Sequence, residues 1–205
     1  MKLKQLFFLI AALSVMGFSL PWPFSALFST PERFGTYAWY NGRVEAIHSQ
    51  AGNLNTQILK MALKAYIKAH DKLGRNKEIL TIIDYSKPST ERRMWVIDLH
   101  SKRVLYNTWV THGRNSGGLS ATSFSNQPGS LKSSLGVFLT EETYVGSVGY
   151  AVRLKGLEPG VNDNAYRRAV VIHGAWYADQ DIARKYGQLG RSFGCPAVVI
   201  RLPSR

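Results

Sequence analysis

Apolar positions in the first half of the chain recur at the spacing of an amphipathic helix. Between residues 54 and 73 they lie three or four apart, so that a helix would carry them on one face. Asn53 or Asn55 is placed to cap its N-terminus, and Gly74 is placed to end it. The pattern therefore predicts a helix over 54–73. The apolar positions of this helix are Leu59, Ala62, Leu63, Tyr66, Ile67 and Leu73.

Beyond this helix, apolar residues either alternate with polar ones or form short continuous runs, and both patterns are typical of β-strands. Trp95, Ile97 and Leu99 alternate on one face, and the polar stretch 100–103 predicts a hairpin turn after them. A short helix is predicted over 179–186. We therefore predict a mainly β domain with peripheral helices. The predicted strands cover 79–84, 94–99, 104–112, 136–144, 150–156, 169–174 and 195–200.

The N-terminus has the pattern of a secretory signal peptide. Lys2 and Lys4 precede an apolar run over 6–16, and the small residues Gly17 and Ser19 follow it. This run is shorter than the about 20 apolar residues that a membrane-spanning helix needs. We predict that residues 1–20 are a signal peptide, after whose cleavage no membrane span remains. The alternative is an uncleaved anchor, and both place the rest of the protein outside the cytosol, in the periplasm or another extracytoplasmic space.

Residues 21–52 are rich in aromatic residues and proline and have no clean periodicity, which predicts a linker or lead-in. The remaining stretch, 53–205, has the length of one domain of ordinary size.

The chain is strongly basic. It carries 26 Lys and Arg against 13 Asp and Glu, a formal net charge of +13. This charge favours an anionic wall polymer as a partner, although simple solubility accounts for it equally well. Nucleic acid is disfavoured because the basic residues are scattered and the compartment is wrong.

Cys195 is the only cysteine, so an internal disulfide is excluded. It is then an intermolecular partner, a small buried residue or a reactive group. Cys195 begins one predicted apolar strand, and His173 ends another. If these two strands pair in one sheet, the thiol and the imidazole come together, which is the arrangement that nucleophilic thiol catalysis requires.

The residues around the cysteine are suited to the same chemistry. Gly194 allows close approach of a substrate and leaves backbone N–H groups free for an oxyanion. Arg191 adds positive charge, and the Ser192 hydroxyl can donate a hydrogen bond. His112 is also followed by glycine and remains a rival base or a substrate contact. The sequence has no metal-binding or phosphate-binding motif, so we infer neither a metal nor an organic cofactor.

Several short motifs occur in the order typical of one known family. His173-Gly174 followed by Ser192-Phe-Gly194-Cys195 resembles a signature in which His-Gly precedes Ser/Thr-x-Gly-Cys. This is the signature of the L,D-transpeptidases with a YkuD-type domain, and the stretch from about 79 to 200 looks more closely like the murein L,D-transpeptidase catalytic domain subgroup. The other matching motifs are VTHGRNSG (110–117), FSNQPGS (124–130), SSLGVFLTEETY (133–144), VIHGAWY (171–177) and GRSFGCPAV (190–198).

The resemblance implies a fold, an activity and roles for residues. The fold would be a YkuD-like mixed β-sandwich or barrel, with the helix 54–73 N-terminal to it. The enzyme would act on peptidoglycan stem peptides, with Cys195 as nucleophile, His173 as base and the amides of Gly194 and Cys195 as oxyanion donors. Gly174 would belong to the same site.

Other functions remain open from the sequence. The acyl group on the cysteine can pass to an amine, which is transpeptidation, or to water, which is L,D-carboxypeptidase hydrolysis. A cysteine amidase or peptidase of another fold is a second enzyme hypothesis. The third is a non-catalytic wall-binding or host-interaction protein that keeps the fold.

Overall fold

The computed structural model describes residues 32–73 and 78–199. The predicted signal peptide 1–20 and the predicted helix stop Gly74 lie outside these residues. The chain divides into two compact units, Met1–Trp39 and Tyr40–Arg205. In the described part of the first unit, the ring of Phe34 packs edge-on against that of Trp39, with centroids 4.9 Å apart.

The described residues form three α-helices, α1 (Tyr37–Gln50), α2 (Thr56–Leu73) and α3 (Gln180–Tyr186). The predictions of α2 and α3 are confirmed. Asn55 caps α2, because its Oδ1 accepts the N–H of Gln57 at 2.8 Å. Leu59 and Leu63 are fully buried, as an apolar helix face requires.

Helix α1 was not predicted, since it falls within the segment 21–52 that we interpreted as linker. In the second unit its buried positions are Arg43 and Ile47, followed by Ala51 just after the helix. This buried stripe is only one residue wide and includes an arginine. The usual apolar pattern of period 3.6 is therefore absent, and only tertiary packing reveals the helix.

The first sheet is antiparallel, in the order β1 (Ile79–Ile83), β2 (Met94–Asp98) and β3 (Arg103–Thr108). The predicted hairpin turn between β2 and β3 is confirmed: Asp98 Oδ1 accepts the N–H of His100 at 2.9 Å and that of Ser101 at 3.2 Å. The predicted buried face is also confirmed. Its members Trp95, Ile97 and Leu99 are all fully buried.

The second sheet runs in the order β4 (Phe138–Gly146), β5 (Gly149–Gly156), β6 (Val171–Gly174) and β7 (Ala197–Val198). Only β6 and β7 pair in parallel, so this sheet is mixed. Strand β7 is shorter than the predicted 195–200 and starts two residues after Cys195. Pro196 has no N–H to donate to a sheet ladder, which explains why the strand begins after it.

The stretch after β3 joins the two sheets. Val110 pairs with Val198, and the Thr111 N–H donates to the carbonyl of Ala197 at 2.9 Å. With seven strands against three α-helices among the described residues, the mainly β fold is confirmed. The same pairing sets three segments beside Cys195: β6, the start of β7, and residues 109–113.

Candidate active site

The loop before β7, residues 190–196, presents Cys195 at a tight turn, and we call it the cysteine loop. Ser192 Oγ donates to the carbonyl oxygen of Cys195 at 2.5 Å and accepts the N–H of Gly194 at 3.1 Å. Gly194 has φ +129°, and a Cβ on it would lie 2.9 Å from the carbonyl oxygen of Lys132. Only glycine fits this position, and the turn leaves the thiol of Cys195 half-buried.

The parallel pairing of β6 with β7 sets His173 opposite Ala197. The His173 N–H also donates to the carbonyl of Pro196 at 3.4 Å, so the backbone of the histidine lies beside the residue that follows Cys195. The two strand ends expected to meet therefore do meet. The Cys195 sulfur lies 3.6 Å from the carbonyl oxygen of Ala169, and it has no direct hydrogen bond to the imidazole.

The tautomer of His173 follows from its hydrogen bond. Its Nδ1 lies 2.9 Å from the carbonyl oxygen of Gly174. Because a carbonyl oxygen can only accept, Nδ1 carries the proton and Nε2 of the neutral ring carries the lone pair. Gly174 therefore orients the ring through its backbone, and Nε2 is the nitrogen that can take a proton.

His112 has the opposite tautomer. Its Nδ1 lies 2.8 Å from Nη2 of Arg93, which can only donate, so the lone pair of the ring is already used. Its Nε2 faces the carbonyl oxygen of Gly117 at 3.4 Å. Burial and the positive charge of Arg93 lower the pKa of His112. The carbonyl of His112 accepts the N–H of Ser192 at 3.0 Å, so this histidine supports the cysteine loop through its backbone.

The two backbone amides suggested as oxyanion donors differ. The Gly194 N–H is bonded to Ser192 Oγ within the loop. The Cys195 N–H makes no hydrogen bond to any residue in the described ranges. A developing oxyanion beside the thiol therefore has the Cys195 amide available to it in this conformation.

The pKa of the Cys195 thiol is subject to opposing effects. Burial raises it, while a backbone hydrogen bond from Val171 and the positive charge of Arg168 lower it, and burial dominates. A thiol with a raised pKa is mostly protonated at neutral pH, so it needs a base to become a nucleophile.

Comparison with known proteins identifies the family. A family model described as the L,D-transpeptidase catalytic domain matches residues 50–204. The chain belongs to the L,D-transpeptidase family. No curated protein and no solved structure matches it. The family match also overturns the hypothesis of a cysteine amidase or peptidase of another fold.

Membership of the L,D-transpeptidases carries a coarse function with it. The family is enzymatic, and its catalytic domains generally act on peptidoglycan outside the cytoplasm. Within the described ranges of this L,D-transpeptidase, no helix combines the length and apolar character needed to cross a membrane. In the same ranges, no three His, Cys, Asp or Glu side chains group together as metal ligands.

Arg168 of this L,D-transpeptidase lies at the candidate site, and the sequence analysis missed it. Its guanidinium donates to the carbonyl oxygens of Ser125 and Lys132, both at 2.6 Å, and to the hydroxyls of Ser130 and Ser134. It therefore ties the serine-rich loop, which we define as residues 120–134, to the segment that leads into β6, the strand of His173. The only sequence signal was its position directly before the AVVIHG strand.

Arg93 is the second missed residue. It is fully buried, donating to the carbonyl oxygen of Val110 through Nε at 3.0 Å and Nη2 at 2.8 Å, and through Nη1 to that of Lys87 at 2.8 Å. Burial lowers its pKa to about 10. Its guanidinium lies 5.1 Å from the ring centre of Tyr85, whose pKa burial raises to about 12. This buried cluster, with His112, forms the support behind the cysteine loop.

A groove opens beside the cysteine loop of the L,D-transpeptidase domain, with a volume of about 580 Å³. Arg191, a predicted site residue, lies in its wall and donates from Nη1 to the carbonyl oxygen of Gly117 at 3.1 Å. Tyr177 also lines it, and its pKa is raised by burial and, when Cys195 is a thiolate, by the charge of that group. The groove is therefore bordered by the loop that carries Cys195, because Gly190, Arg191 and Phe193 of that loop line it.

Proposed function

We propose that this L,D-transpeptidase is exported and uses Cys195 for acyl transfer on peptidoglycan stem peptides. The observation that supports this most directly is the hydrogen bond from His173 Nδ1 to the Gly174 carbonyl. It leaves Nε2 as the proton acceptor in a strand that pairs beside Cys195. His112 has no free basic nitrogen, because Arg93 occupies it.

The first half-reaction forms a thioester. His173 Nε2 takes the thiol proton, and the Cys195 sulfur attacks the carbonyl carbon of the L-centre in the L,D bond near the end of a tetrapeptide stem. The Cys195 N–H donates to the oxyanion that forms. When this intermediate collapses, the C–N bond breaks and His173 gives its proton to the departing amine of the terminal D-amino acid.

The second half-reaction releases the enzyme. An amine of another stem or a protein, or a water molecule, attacks the thioester carbonyl while His173 accepts its proton. The carbon–sulfur bond breaks, and the Cys195 thiolate takes the proton back from His173. An amine gives transpeptidation, whereas water gives hydrolysis.

The surroundings of the thiol support this mechanism. Burial raises the pKa of Cys195, so the resting group is a thiol rather than a thiolate and a base is required. Arg168, whose charge lowers the same pKa, stabilises the thiolate once His173 has removed the proton.

Export is proposed from the N-terminal pattern of residues 1–20. The protein recovered from outside the cytoplasm should have the intact mass of a chain that lacks this segment. Recovery of the full-length chain from the membrane fraction would instead favour the uncleaved anchor.

The activity is tested by incubating purified wild-type protein and Cys195→Ala with tetrapeptide muropeptides. We expect an acyl adduct in the intact mass of wild type, together with released D-alanine, and neither in Cys195→Ala. Cross-linked dimers among the products indicate transpeptidation, and shortened stems without dimers indicate hydrolysis. No adduct and no release from a folded wild-type protein offered several stem types would contradict the proposal.

Two matched histidine variants identify the base in the same assay. His173→Gln should slow adduct formation by about 10²- to 10⁴-fold, the usual contribution of a general base. His112→Gln should stay within a few-fold of wild type, because a glutamine can still accept from Arg93. The reverse pattern would assign the proton transfer to His112.

The high net charge of +13 favours one other function, a non-catalytic protein that binds anionic wall polymer. In that case wild type and Cys195→Ala should bind purified cell walls equally well, and neither should release D-alanine.

A further inference from the structure

The groove beside the cysteine loop contains two arginines and several aromatic side chains. We call it the arginine–aromatic groove and define it by Arg114, Arg191, Trp176, Tyr186 and Phe193, all of which line the cavity of about 580 Å³. None of these residues has a part in the acyl-transfer steps above. Their side chains are therefore free to serve substrate selection.

The groove is lined in part by the cysteine loop. Phe193 stands two residues before Cys195 in the same loop and is 70% exposed. The guanidinium of Arg114 lies 5.7 Å from the centre of its ring. The loop that carries Cys195 therefore also forms part of the groove wall, through Gly190, Arg191 and Phe193.

The two guanidiniums have capacity for an anion. Within residues 32–73 and 78–199, neither Arg114 nor Arg191 pairs with a carboxylate, and Arg191 uses one N–H, on the carbonyl of Gly117. An arginine has five N–H donors arranged to fit a carboxylate with two parallel hydrogen bonds. Two such groups in one cavity make carboxylate the ligand chemistry that matches its charge.

The aromatic side chains supply apolar contact. Trp176 is 74% exposed and Tyr186 is 62% exposed, although large rings are usually covered. Exposed apolar surface within a cavity is typical of a binding site. Together the rings and guanidiniums match a ligand that carries carboxylates on an aliphatic backbone, as a stem peptide does.

We propose that the arginine–aromatic groove binds a free side-branch carboxylate of the donor stem peptide through Arg114 and Arg191, with the aromatic rings packed on its aliphatic part. The enzyme then prefers stems with this carboxylate free over stems in which it is amidated. This inference rests on the proposed function, because it requires the stem to lie beside Cys195.

Binding measurements on Cys195→Ala test the groove without turnover. Isothermal titration calorimetry compares one tetrapeptide stem with all carboxylates free and the same stem with its side-branch carboxylates amidated. We expect the free acid to bind about tenfold more tightly or better, as charge-assisted hydrogen bonds to arginine predict. When Arg114→Gln and Arg191→Gln are added to Cys195→Ala, the acid and amide stems should bind with equal affinity.

A matched control removes the same charge elsewhere. Arg103 and Arg184 are exposed and do not line the groove, so Arg103→Gln with Arg184→Gln should keep the preference for the free acid. Arg114→Lys with Arg191→Lys retains the charge without the paired donor geometry and should give an intermediate preference. Two results would overturn the proposal. Either Cys195→Ala binds the acid and amide stems equally, or the control variant loses the preference for the free acid as the groove variant does.

The outcome separates this inference from the proposed function. If wild type forms the acyl adduct equally well from acid and amide stems, the groove proposal fails and the acyl-transfer mechanism stands. If Cys195→Ala prefers the free acid but wild type forms no adduct from any stem, the acyl-transfer mechanism fails and the groove stands as a binding site.

Discussion

At the scale of single residues, Arg168 acts on the pKa of the Cys195 thiol. The guanidinium lowers the pKa of the thiol against the raising effect of burial. In Arg168→Met the pKa of Cys195 should therefore rise further. The pH profile of Cys195 alkylation by iodoacetamide should shift to higher pH, and the rate at neutral pH should fall.

Arg167→Met is the matched control, since its side chain is exposed and the substitution removes the same charge one position away. It should leave the profile in place. Arg168→Met also removes hydrogen bonds to the serine-rich loop, but any loss of burial at Cys195 would lower the thiol pKa, which is the opposite direction from the loss of the positive charge. Superimposable profiles for Arg168→Met and wild type would limit Arg168 to a structural role.

At the scale of elements, three segments cross so closely beside the nucleophile that Gly113 has no room for a side chain. A Cβ there would lie 2.5 Å from the carbonyl oxygen of Leu131, 2.8 Å from the amide of Ser133 and 3.0 Å from the Cα of Gly194. Gly113→Ala should therefore lower the free energy of unfolding by about 1–3 kcal/mol, the usual cost of overpacking. Urea denaturation measures this change.

Gly118→Ala provides the comparison within the same loop, because its Cβ meets only the end of the Gln188 side chain at 3.4 Å. It should unfold close to wild type. A Gly113→Ala protein as stable as wild type would show that the crossing segments are further apart in solution.

The elements also differ in how far the sequence predicted them. Helix α2 was predicted because its apolar face is wide and Asn55 caps it. Helix α1 was not, because its buried stripe is narrow and includes Arg43. Strand β7 was predicted too long, because the apolar pattern continues over 195–200, whereas Pro196 has no N–H for the sheet ladder and the strand begins after it. Local patterns thus predict elements that carry their own signal and miss those that depend on distant partners.

At the scale of the whole molecule, stability depends on pH through His112. Burial and Arg93 lower its pKa, Arg191 lowers it further, and Tyr85 packs edge-on against its ring. Below the unfolded-state pKa of about 6.5, the unfolded chain binds a proton that the folded protein does not. The contribution of His112 to stability is therefore complete above that pH and is lost as pH falls towards its lowered folded pKa.

Urea midpoints measured from pH 7 down to pH 5 should fall for wild type and fall less for His112→Gln, which cannot titrate. His100→Gln is the control, because that side chain is exposed on the hairpin turn, and it should follow wild type. An equal acid sensitivity in His112→Gln would assign the loss of stability to other groups.

The sequence by itself determined the mainly β fold, helix α2, the hairpin after β2 and the family. These depend on periodicity, turn residues and short motifs, which are local in the chain. It also singled out Cys195 and His173, because strand ends and flanking glycines are visible in the sequence.

Only the tertiary structure decided how these residues can act. The opposite tautomers of His173 and His112 depend on a backbone carbonyl in one case and on Arg93 in the other. The placement of Arg168 beside the thiol and of Arg114 and Arg191 in one groove likewise joins segments far apart in the chain. Such contacts follow from packing between distant residues, for which a local pattern carries no signal.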